Sequence, residues 1–192
     1  MYYEGSRAMS QNRESKKQKK KKTVLKTVRL TEEMADLLER DARTKRTTVN
    51  ALISSIFTKY SEWDRYEEKF GYVSVTRQLF RTLLEAAGEE KVGKIASELT
   101  PRLHSDVMQF WFKRKDLDAF LDSFYLYSKY AGTGEGEIDQ KGSEISTTIH
   151  HDLGRCWSIY LKNFIQESMR SVLGANPTFE TSDDAVTIHV TI

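Results

Sequence analysis

The sequence predicts a β-α-α unit near its N-terminus, followed by an α+β domain of several helices and a small sheet. Three observations carry this reading. A short alternating segment, KTVRLTEEM at residues 26–34, runs from a lysine-rich tail directly into a helix-start signal. Two apolar helical periods follow in close succession. Beyond Gly71 a longer series of helical periods gives way to alternating, β-branched segments at the C-terminal end.

The elements follow in order. Residues 1–22 are polar, charged and aperiodic, so a disordered basic tail is expected there. TVLKTVRL, residues 23–30, favours a strand. No second strand follows within hairpin distance, and a lone strand leaves its backbone groups unpaired, so the partner expected is another chain. Thr31 is placed to cap a helix, with Glu32 and Glu33 at its positive end. Met34, Leu37, Leu38 and Ala42 then make one apolar face. Thr47 or Thr48 restarts a helix whose apolar face (Val49, Leu52, Ile53, Ile56, Phe57, Tyr60) is too broad for one short partner helix. That excess is a second sign of dimerisation.

After Gly71 a short strand is expected at Tyr72–Val75, then helices carrying Leu79, Phe80, Leu83 and Leu84, and Val92, Ile95 and Leu99. Thr100-Pro101 opens another helix with Val107, Phe110 and Trp111, and Leu117 to Tyr127 mark a further one. GTGEGE reads as a flexible loop, SEISTTIHH as a strand, and CWSIYLKNFIQESMRSVLG as a long amphipathic helix ending at Gly174. DAVTIHVTI closes the chain as a strand with Val186, Ile188, Val190 and Ile192 on one face. The domain expectations are therefore a tail at 1–22, a first domain at 23–68 and an α+β regulatory or oligomerisation domain at 72–192.

Composition narrows the function classes. The chain has 192 residues, 39% hydrophobic, enough to bury a core without staples. Its single cysteine excludes an intramolecular disulfide framework and fits a reducing compartment. No stretch approaches ~20 apolar residues and none resembles a signal peptide, so a soluble cytoplasmic protein without membrane contact is expected. The net charge of +2 hides an asymmetry: residues 1–31 hold ten Lys/Arg against two Glu, or +8, and the remainder carries −6. A basic head on an acidic body points to a polyanionic partner at one end.

The order strand, helix, helix, carried by TVRLTEEMADLL and TTVNALI, resembles the ribbon-helix-helix family of DNA-binding proteins, the group that includes the Arc and MetJ repressors. The resemblance covers roughly residues 23–62. It implies an intertwined homodimer in which one strand per chain forms an antiparallel ribbon in the major groove of double-stranded DNA. It also implies base contacts from Thr27 and Arg29. Arg can bond guanine O6 and N7 bidentately, and Thr can reach a base edge or a thymine methyl. Lys26 falls on the core-facing side and Leu25 on the groove-facing side, the reverse of the usual family pattern. Either the ribbon frays beyond Thr27 or a bulge resets the alternation, and a thymine methyl is the contact open to Leu25. Thr47, Thr48 and Val49 open the second helix, whose free N–H groups suit a phosphate. Lys19, Lys20, Lys21 and Lys22 would add sequence-independent phosphate contacts.

The expected function is thus a sequence-specific transcriptional regulator, nucleoid-associated, homodimeric or of higher order, with an unknown effector available to the second domain. The alternatives are an interaction module such as an antitoxin and an architectural, chromatin-like DNA binder. No phosphate loop, carboxylate pair or Ser/His/Asp order suggests an enzyme, and no cofactor is expected. HHDLGRC is the one metal-like cluster, with His150 and Cys156. His189 joins them if the two C-terminal strands pair suitably. Adjacent strand residues point to opposite faces, so His150 and His151 cannot serve one ion together.

Overall fold

The computed structural model describes residues 24–141 and 143–191. They divide into two compact units, with the boundary between Tyr72 and Val73.

In the first unit, helix α1 spans Glu32–Thr44. Thr31 caps it, its hydroxyl accepting from the Met34 N–H at 3.3 Å. The same hydroxyl and the Glu33 N–H hold the Glu33 carboxyl below its ordinary range, the backbone N–H being the larger cause. The helix closes in a two-bond turn: the Arg46 N–H reaches the Arg43 carbonyl at 3.0 Å and the Thr47 N–H reaches the Ala42 carbonyl at 2.9 Å. Arg46 takes the left-handed conformation this turn demands, with φ of 51°. Helix α2, Val49–Lys59, starts at once, capped by the Thr48 hydroxyl accepting from the Ala51 N–H at 3.1 Å. It continues through a π-helical stretch, Tyr60–Asp64, into α3, Arg65–Phe70, which ends on left-handed Gly71. Trp63, in the π stretch, is buried and lies 5.7 Å from the Tyr72 ring.

The ribbon-helix-helix architecture expected here is not what the structure shows. Residues 24–30 form no strand and are exposed throughout. A strand exists only through its ladder, and no described segment pairs with this one. The helices that follow occur as expected, with Thr48 rather than Thr47 as the second cap.

The second unit is helical at first. Helix α4, Arg77–Ala87, is capped by Thr76, and α5, Glu89–Glu98, and α6, Thr100–Phe112, run on in sequence. Helix α7, Leu117–Tyr130, is capped by Asp116, whose carboxylate accepts from the Ala119 N–H at 2.8 Å. Strand β1, Glu135–Lys141, follows, then β2, Glu144–His150, the long helix α8, Arg155–Leu173, and strands β3, Thr178–Thr181, and β4, Ala185–Thr191. The sheet order is β1-β2-β4-β3, each pair antiparallel.

Alternation explains the packing. Ile145, Thr147 and Ile149 of β2 and Val186, Ile188 and Val190 of β4 face inward and are buried. Against them lie Trp157, Leu161, Ile165 and Met169 of α8, spaced one turn apart, with Phe120 of α7 and Met108 of α6. Ser146, Thr148, Thr187 and His189 occupy the other face, where Thr148 and Thr187 hydroxyls meet at 3.1 Å.

Three sequence expectations change. Residues 72–75 form no strand. The presumed loop GTGEGE contributes its last three residues to β1. Strand β3 was not foreseen; it is four residues long at the sheet edge, too short to show a period. Ile192 lies outside the described residues.

Candidate nucleic-acid interface

The side chains expected to contact DNA sit on an uncovered stretch of chain without secondary structure. Leu25 is 93% exposed, Val24 and Val28 are exposed, and Thr27 and Arg29 are exposed between them. Among the described residues Arg29 makes no ion pair, so its five donors are unspent. The segment leads straight into the Thr31 cap, which fixes where its end enters α1. Two apolar side chains of α1, Met34 and Leu37, two beyond the middle of α2, Ile56 and Phe57, and Tyr60 at the start of the π-helical stretch are about half exposed. This is a large amount of apolar surface for a unit of this size.

The second candidate patch is the start of α2. Thr47 is committed through its N–H to the Ala42 carbonyl, and Thr48 through its hydroxyl to the Ala51 N–H. The N–H groups of Val49 and Asn50 stand in the first turn, where no intrahelical acceptor exists. They point outward at the positive end of the helix, the arrangement an anion requires. Lys19, Lys20, Lys21 and Lys22 lie outside the described residues.

The metal candidates are kept apart. Strands β2 and β4 do pair, but the register sets His189 opposite Ser146 and His150 opposite Ala185. Four residues of strand separate the two histidines, about 13 Å at ~3.3 Å per residue, too far for one ion. Cys156 belongs to the first turn of α8, which packs on the inner face, whereas His150 is on the outer one. Burial pushes the Cys156 thiol up, and Glu89 and Glu85 add to this, so the ligating thiolate is disfavoured.

Two histidine–serine pairs escaped the sequence reading. His104 on α6 places Nε2 2.7 Å from Ser123 Oγ on α7, and that hydroxyl donates to the Phe120 carbonyl at 2.7 Å. The serine proton is thereby used, so Nε2 carries the hydrogen and donates. Nδ1 is the bare acceptor, buried without a hydrogen-bond partner among the described residues. Burial holds His104 down at about 4, neutral at physiological pH. His151 repeats the pattern. The Leu153 N–H donates to Nδ1 at 3.3 Å, Nε2 faces Ser158 Oγ at 3.0 Å, and Ser158 donates to the Ser182 carbonyl at 2.7 Å. In neither pair does the imidazole accept the serine proton, so neither serine is an activated nucleophile. Both pairs clamp elements together. A strand end, a turn at Gly154 and a half-buried cysteine at a helix start were legible in HHDLGRC; the serine partners of His104 and His151 were not.

No family model matches the chain, and no curated protein matches it.

Proposed function

We propose that this protein is a homodimeric DNA-binding regulator of transcription, reading DNA with the exposed segment at residues 25–29 and seating phosphate at the start of α2. The observation that carries the reading is the state of that segment. It has no secondary structure and is uncovered, presents Thr27 and an Arg29 without an ion pair among the described residues, and stands between a run of lysines and a capped helix. Arginine is the side chain best matched to guanine in the major groove, and the +8 charge of residues 1–31 supplies attraction to any phosphate backbone. The resemblance of TVRLTEEMADLL and TTVNALI to ribbon-helix-helix proteins supports the same class, through sequence and not through a strand. The half-exposed Met34, Leu37, Ile56, Phe57 and Tyr60 give a second copy an apolar surface to cover.

Selection of bound duplexes from a random pool tests the reading. A regulator enriches a palindrome whose half-sites reflect the dimer. Retention without enrichment would favour an architectural binder driven by the lysines, and no retention would remove nucleic acid as the partner. On the selected site, Arg29→Ala is expected to cost about 1–3 kcal/mol and relax one position per half-site. Replacing Lys19 to Lys22 with Ala should weaken all sequences alike and flatten the salt dependence. Identical behaviour of the two variants would make Arg29 a phosphate contact.

A further inference from the structure

Among the described side chains of the second unit, every exposed large apolar one lies within residues 73–103 and none within 104–191. Helix α4 turns Phe80 and Leu84 toward the core but leaves Leu79 and Leu83 about half exposed. Helix α5 buries Val92 and Ala96, whereas Ile95, Leu99 and Leu103 are about half exposed. Such a concentration marks an interaction surface, where scattered single side chains would not. The last three form one row. The chain passes from α5 to α6 through Leu99 in helical conformation, with φ of −90° and ψ of −43°. The Leu99 N–H reaches the Ile95 carbonyl at 3.0 Å, and the Leu103 N–H reaches the Leu99 carbonyl at 3.5 Å. The three side chains therefore stand one turn apart on a common side.

The charges beside the row are ordered. Lys91 lies one turn before Ile95, Glu98 precedes Leu99, Arg102 precedes Leu103, and Asp106 lies one turn beyond. All four are exposed. Glu98 meets Lys94 at 3.9 Å, and among the described residues Lys91, Arg102 and Asp106 make no ion pair. Turned about a two-fold axis at Leu99, the row meets itself: Ile95 faces Leu103 of the second copy, and Leu99 faces Leu99. The same turn brings Lys91 beside Asp106 and Glu98 beside Arg102, both pairs being of opposite sign. A parallel pairing would instead set Lys91 against Lys91 and Asp106 against Asp106.

We infer that the row Ile95, Leu99 and Leu103 is a self-association surface, which packs antiparallel against the same row of a second copy. The inference rests on the homodimer of the proposed function and adds a second contact to it. The self-complementary charges are what select a second copy over an unrelated protein. Three half-exposed side chains fall far short of the ~800 Å² per partner that an independent interface buries. The row therefore closes only after the first units have joined two copies. The tethered rows then meet at an effective concentration in roughly the millimolar range.

The test uses the full chain without DNA, in a Cys156→Ala background, so that each introduced cysteine is the only thiol. On mild oxidation Leu99→Cys should form a covalent dimer at least about 10-fold faster than Lys162→Cys, an exposed position on α8 outside the row. Ile95→Cys and Leu103→Cys should couple with each other when mixed, and neither with itself. Lys91→Asp and Asp106→Lys should each weaken the dimer by about 2- to 5-fold, the worth of exposed ion pairs, and their combination should restore it. This exchange is the second arm if Leu99→Cys does not fold. Sedimentation of the reduced chain reports the dimer separately. A chain that sediments as a dimer while Leu99→Cys couples no faster than Lys162→Cys, or a charge exchange without recovery, would overturn the inference. The homodimer would then stand and the row would be left to a different protein. A chain that sediments as a monomer would overturn the homodimer, and this inference with it.

Discussion

His104 shows how a single buried side chain writes a pH dependence into the second unit. Its imidazole lies between the Phe120 and Phe164 rings, each at 5.1 Å, and among the described residues its Nδ1 has no hydrogen-bond partner. Burial lowers it from 6.5 to about 4, so the unfolded chain takes up a proton at a higher pH than the folded one. The stability due to its neutral form is therefore whole above about pH 6.5 and is lost as pH falls toward 4. The loss over that window is on the order of 3 kcal/mol. His151 is lowered by burial as well and acts in the same direction. Thermal midpoints from pH 7 to 4.5 should fall steeply in the wild type and less steeply in His104→Gln; parallel curves would refute the assignment. Ser168 offers a simpler case. Its hydroxyl is wholly buried and has no partner among the described residues, so Ser168→Ala should be neutral or stabilising by up to about 1 kcal/mol in urea unfolding.

At the scale of elements, the first two helices owe their boundaries to three short-range devices. Thr31 and Thr48 each satisfy one orphan N–H, and removal of either hydroxyl by alanine substitution should cost about 1 kcal/mol. Between them Arg46 holds a positive φ that glycine adopts without steric penalty. Arg46→Gly should raise stability by roughly 0.5–1 kcal/mol in chemical denaturation, because relief of the left-handed strain outweighs the added freedom of the unfolded chain. A destabilised variant would mean that the Arg46 side chain contributes contacts beyond its backbone role. The caps were legible because capping is local: a hydroxyl, a free N–H and an apolar period lie within four residues. The strand assigned to residues 23–30 failed because its hydrogen bonds would have had to come from outside the described residues.

For the molecule as a whole, the division at Tyr72–Val73 separates a small unit with few buried side chains from a larger one with a continuous core. A fragment from residue 73 to the C-terminus should fold alone, with one cooperative thermal transition. The full chain should sediment as a dimer, and variants Ile56→Glu with Phe57→Lys should shift it toward monomer, because charge on the half-exposed apolar surface of α2 opposes its burial. A full chain that stays monomeric at micromolar concentration would remove the homodimer from the proposed function.

The sequence by itself determined most of the helices, the caps of the first two, the glycine breaks at Gly71 and Gly174, the alternation of β2 and the inward face of β4. Each is set by neighbours within a turn of helix or a few residues of strand. Only the tertiary structure decided the rest. It recruited the polar segment EGEIDQK as β1, because an edge strand is defined by its partner and not by its own hydropathy. It chose the register that parts His150 from His189, and it brought Ser123 to His104 and Ser158 to His151. These outcomes depend on residues far apart in the chain, whose distances are fixed when α8 lies down on the sheet and not before.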